Sequence, residues 1–68
     1  MLYKEDVLLA IKTYLHHQKC MHNNYYNEIT FLNHYCRKFS IPKSRYKDFI
    51  IKVYLEYMED KRWITVQN

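Results

Sequence analysis

Histidines and cysteines gather at His16, His17, Cys20, His22, His34 and Cys36. Imidazole nitrogen and thiolate sulfur are the donors that hold a tetrahedral zinc ion, and a metal staple would help a short chain fold. Cys20 with His22, and His34 with Cys36, would supply the two ligand pairs. The spacing opposes that reading. Each pair has a single residue between its members, whereas structural zinc sites favour about two to four. On a helix, positions i and i+2 also point to different faces. Cys36 falls at apolar spacing and reads as a core residue. No metal and no other cofactor is expected. Catalysis is not expected either: the chain has no glycine, hence no Gly-rich phosphate loop, and it shows no nucleophile elbow and no paired carboxylates in an evident cleft.

The second group of residues able to do chemistry is cationic. Residues 37–47 carry Arg37, Lys38, Lys43, Arg45 and Lys47 with no acid, a local charge of +5. Residues 1–36 balance Lys4, Lys12 and Lys19 against Glu5, Asp6 and Glu28, and residues 48–68 sum to −1. The net charge of +4 is therefore a local excess. Such a cluster is the footprint expected of a surface that meets phosphate.

Three helices must position these groups. Val7, Leu8, Ile11, Tyr14 and Leu15 recur at helical spacing and predict a first helix over residues 4–19, with Glu5 and Asp6 in the turn where the helix dipole favours acids. Residues 16–27 are polar and aperiodic, with Asn23-Asn24 as the turn signal. Ile29, Leu32, Tyr35, Cys36 and Phe39 predict a second helix over residues 28–39. It stops at Ser40-Ile41-Pro42, because the residue before a proline is pushed out of the α region. Pro42 suits the first position of a third helix, with Ser40 or Ile41 at its cap. That helix is expected over residues 42–60. Trp63, Ile64, Thr65 and Val66 are β-branched or aromatic and predict a short C-terminal strand.

The run Phe39-Ser40-Ile41-Pro42-Lys43-Ser44-Arg45-Tyr46-Lys47-Asp48-Phe49-Ile50, followed by residues 55–61 and then 63–66, resembles the winged helix–turn–helix domains of bacterial regulators and mobile elements. The resemblance covers residues 28–66, and Val7 to Leu15 serve as the first helix. It implies a mainly α fold: a single domain over residues 1–68 with three helices and a short strand opening a truncated wing. It places Lys43, Ser44, Arg45 and Lys47 at the groove-facing start of a recognition helix, with Arg37 and Lys38 flanking the DNA backbone. Arg45 would read guanine in bidentate fashion, and the lysines and Ser44 would contact phosphate. Ser40 stands where the family often has glycine, and Asp48 where it often has arginine.

The third helix is apolar over most of its circumference. With Tyr46 at 0° and about 100° per residue, Phe49, Ile50, Val53 and Tyr57 form the expected core stripe. Ile51, Leu55 and Met58 lie roughly opposite, with Tyr54 between, and this second stripe is read as a partner interface. Two functions follow. The first is a small double-stranded-DNA-binding regulator or replication factor, working as a homodimer. The second is an accessory subunit that docks through Ile51, Tyr54, Leu55 and Met58 on a larger replication protein such as a polymerase, primase or helicase. Phe, Tyr, Met, Ile, Asn and Lys make up 33 of 68 residues, a skew that fits an AT-rich genome, such as that of a phage or other mobile element. The charged start and the lack of a ~20-residue apolar run point to a cytoplasmic protein with no membrane partner.

Overall fold

Asn27 begins the best-defined helix of the chain. Its side chain accepts from the backbone N–H groups of Ile29 and Thr30 at 2.9 and 3.0 Å. The Thr30 hydroxyl closes the reciprocal bond by accepting from the Asn27 N–H at 2.7 Å. This is a capping box with threonine in the place usually held by Glu or Gln. The computed structural model describes the backbone of residues 2–67 and the side chains of residues 2–60. Its elements are α1 (Lys4–Cys20), α2 (Glu28–Phe39) and α3 (Lys43–Gln67), so the fold is mainly α.

α1 has no side-chain cap but carries Glu5 and Asp6 in its first turn. It ends where His22 turns left-handed at φ 56°. The His22 N–H reaches the Lys19 carbonyl and the Asn23 N–H reaches the Gln18 carbonyl, which satisfies two of the last open acceptors. Asn23 also donates to the buried Gln18 side chain. α2 closes on Ser40, at φ 54° and ψ 44°. There the Ile41 N–H bonds the Cys36 carbonyl at 3.0 Å. Pro42 lies just ahead of α3 rather than inside it. Its carbonyl accepts from Arg45 and Tyr46, both at 3.2 Å, and so opens the ladder of the third helix.

α3 is 25 residues long, about 37 Å at 1.5 Å per residue, which matches the 38 Å long dimension of the molecule. Residues 63–66 continue this helix, so the expected strand and the wing it would open are corrected. No residue after Lys43 removes a backbone donor, so the i→i−4 ladder runs on, and no strand among the described residues would pair with these four.

The core takes Val7, Ile11, Tyr14 and Leu15 from α1, Phe31, Leu32, Tyr35 and Cys36 from α2, and Ile50, Val53 and Tyr54 from α3. Phe31 is its centre. It stacks on Tyr35 and Tyr54, with centroids 5.5 and 5.4 Å away, and meets Tyr14 edge-on at 5.4 Å. Most of each expected stripe packs inward, with Leu32, Tyr35 and Cys36 on α2 and Ile50 and Val53 on α3 buried, but the edges of both stripes differ. On α2, Phe31 is buried while Ile29 and Phe39 are exposed. On α3, Tyr54 is buried and Phe49 is exposed. The buried arc of α3 runs from Val53 through Ile50 and Tyr54 to Ile51, about 160° wide, because α3 packs against both α1 and α2.

Candidate nucleic-acid interface

The turn between α2 and α3 is three residues long, and its left-handed Ser40 occupies the position where helix–turn–helix units often use glycine. A side chain with a Cβ costs about 1 kcal/mol in this region. The bond from Ile41 to Cys36 and the half-buried Ile41 side chain on the core hold the corner closed. Around this corner all six expected contact residues, Arg37, Lys38, Lys43, Ser44, Arg45 and Lys47, are exposed.

They do not form one face. Arg37 and Lys43 come together around a shallow depression of about 460 Å³ that they share with Asn33 and Cys36. The Lys43 ammonium donates to the Asn33 side chain at 2.7 Å, tying the first turn of α3 to α2. Lys38 turns the other way, toward α1, with its ammonium 5.6 Å from the Phe39 ring centre. Arg45 lies over the Tyr46 ring at 5.5 Å. By helical position Ser44, Arg45, Asp48 and Lys52 share the arc of α3 that faces away from the core, whereas Lys47 lies between the directions of Tyr54 and Ile51. Among the described residues the one ion pair is Lys4–Glu56, at 3.8 Å between exposed groups. No carboxylate among those residues therefore pairs with the cations of the corner.

The expected partner stripe on α3 is dismantled. Tyr54 is 3% exposed and belongs to the core. Ile51 and Met58 are half-buried against the core, and Leu55 remains exposed. Burial, chiefly, holds the Tyr54 phenol up at about 12, with Tyr26, Tyr14 and Glu28 adding to the shift.

Another exposed apolar surface lies between α1 and α2. An open groove of about 600 Å³ runs there over Tyr14, Phe31 and Tyr35, with Leu9 (66% exposed) and Phe39 (54%) on its rims. The periodicity of α1 left Leu9 off its stripe, and that off-stripe leucine is the sequence signal for the groove. His34 stands in the groove with its ring 5.2 Å from Tyr14. One edge of His34 is exposed, yet the packed face loses enough water to lower its pKa below the ordinary value. Lys38, Arg37 and His17 push in the same direction. Cys36 is buried, and burial raises its thiol pKa against the smaller lowering effect of Lys43.

His34 and Cys36 do not converge, and neither do Cys20 and His22. Cys20 instead meets His16, one turn back on α1, with Sγ 3.6 Å from Nε2. No group of three or more His, Cys, Asp or Glu side chains among the described residues is arranged to hold a metal. No helix among them is long and apolar enough to cross a membrane. No protein-family profile, no curated protein sequence and no solved structure matches the chain.

Proposed function

We propose that the protein binds double-stranded DNA through the α2–α3 corner, as a regulator or replication factor of helix–turn–helix type. One observation carries the reading: five exposed cations unpaired by carboxylate among the described residues flank a three-residue, left-handed turn. Arg37 and Lys43 bind phosphate together, and the α3 dipole adds positive potential at the same end. Ser44, Arg45 and Lys52 are carried on the outward arc of α3, the position from which a recognition helix meets base edges. The acidic block Glu56, Glu59 and Asp60 follows the first turns of α3 and disfavours phosphate there. Fluorescence anisotropy with duplex DNA at two salt concentrations tests this. Replacing Lys43, Arg45 and Lys47 by alanine should weaken binding and, with the two lysines on phosphate, make the dependence of log K on log salt shallower by up to about 1.8, at about 0.9 per phosphate contact. Duplex binding that is absent at low salt, or unchanged in the triple variant, removes the proposal.

A second reading, an accessory subunit docking on a larger protein, is favoured by Leu9 and Phe39 on the rims of the α1–α2 groove. Leu9→Asp should then abolish the partner complex, whereas Leu55→Asp on α3 should weaken it little. The reverse ranking in a pull-down with the purified partner would return the interface to α3.

A further inference from the structure

His16 and Cys20 lie one turn apart near the C-terminal end of α1, and both side chains are exposed. Their donor atoms, Nε2 and Sγ, face each other at 3.6 Å. A tetrahedral zinc ion binds sulfur at about 2.3 Å and imidazole nitrogen at about 2.05 Å, and at the tetrahedral angle those two bonds set the donors about 3.6 Å apart. The pair therefore already stands at the edge length of an N,S chelate, and its backbone and one-turn spacing need no rearrangement to close on the ion. His17, the next residue, turns into the α1–α2 groove, and Cys36 is buried in the core. The described residues thus offer two ligands at this point and no third.

We propose that His16 and Cys20 form half of a site for a thiophilic divalent cation of the zinc class, completed by the same pair from a second copy of the chain. A tetrahedral ion takes four donors, and two bidentate chelates related by a twofold axis supply an N2S2 set with matching geometry. Binding releases the Cys20 proton to solvent, since the thiolate is the ligand, and His16 binds as the neutral imidazole. The pair lies on α1, outside the cationic corner, so dimerisation through it leaves two DNA-facing corners free. The inference stands independently of the DNA reading.

The test uses the full chain, kept reduced throughout and titrated with Co²⁺ and then Zn²⁺. The expected result is an intense sulfur-to-cobalt charge-transfer band with tetrahedral visible absorption, saturating at one metal per two chains. Sedimentation velocity should show a dimer that returns to monomer with chelator. Cys20→Ala and His16→Ala should each abolish both signals, and Cys36→Ala should retain them. Saturation at one metal per chain without dimer, an octahedral spectrum without the sulfur band, or a dimer that survives chelator would each overturn the proposal.

Discussion

Phe31 has aromatic partners from all three helices, so the cost of losing it reports on the whole packing arrangement. Truncating a buried phenylalanine costs about 3–5 kcal/mol. A domain of 68 residues has about 3–10 kcal/mol in all. Phe31→Ala should therefore remove from about a third to all of the stability of the chain, read by urea denaturation under circular dichroism. A loss below about 1 kcal/mol would mean that the three rings around it pack without it. His34 gives a pH signature. Its folded pKa lies below the free value of 6.5, so the folded state binds this proton less readily than the unfolded chain. Stability from this residue is complete above 6.5 and falls as pH drops through 6.5 toward the folded value. His34→Gln should flatten the stability profile on the acid side of neutrality, and an unchanged slope would assign it to other groups. Tyr54 acts at the other extreme. Its phenol is held up to about 12 against 10 when free, so stability declines as pH rises from 10 toward 12. Tyr54→Phe should remove the last step of tyrosinate absorbance.

At the scale of elements, the turn after α2 is the place to add stability. Ser40→Gly relieves a left-handed Cβ and should gain about 0.5–1 kcal/mol, raising Tm by about 2–8 °C in a domain of this size. A lower Tm would show that the serine side chain, and not its backbone cost, matters there. On the outward arc of α3, Asp48 sits between Arg45 and Lys52. Asp48→Asn should strengthen duplex binding by up to about fivefold, the worth of one exposed charge, if that arc faces phosphate. These elements were largely legible in the sequence. Ser40-Ile41-Pro42 marks the break between α2 and α3 by local chemistry that acts on the backbone within a few residues, whereas Asn27, the cap of α2, reads from sequence only as the last residue of a polar stretch, and Ser40 closes α2 rather than capping α3. The core faces were less legible. α3 has apolar side chains on nearly every side, so its periodicity does not decide whether Phe49 or Tyr54 turns inward; the position of two other helices decides. The end of α3 was misread because β-branched residues at 64–66 suit a strand, yet a strand without a neighbour leaves its ladder unpaired. The His16–Cys20 pair was hidden among six candidate ligands, and its one-turn spacing was the usable clue.

For the molecule as a whole, charge is divided along α3. Cations crowd the α2–α3 corner, Glu56, Glu59 and Asp60 form an acidic block further along the helix, and Lys61 and Arg62 follow it. A duplex held at the corner would be repelled by that acidic block, which favours one docking orientation for each copy. Raising salt should weaken binding steeply while leaving helix content unchanged, since the one ion pair among the described residues is exposed and adds little to stability. A parallel loss of ellipticity would make the salt effect one of folding.

The Thr30 hydroxyl accepts the Asn27 N–H, donates to the Asn27 carbonyl at 2.8 Å, and accepts from the Tyr14 hydroxyl at 3.1 Å. It thereby joins the cap of α2 to a core residue of α1. Fraying the first turn of α2 therefore costs the hydroxyl of the ring that packs on Phe31 its hydrogen-bond partner. Hydrogen exchange should therefore show the amides of Ile29 and Thr30 opening together with the middle of α1, as one cooperative unit, and slower than the end of an ordinary helix.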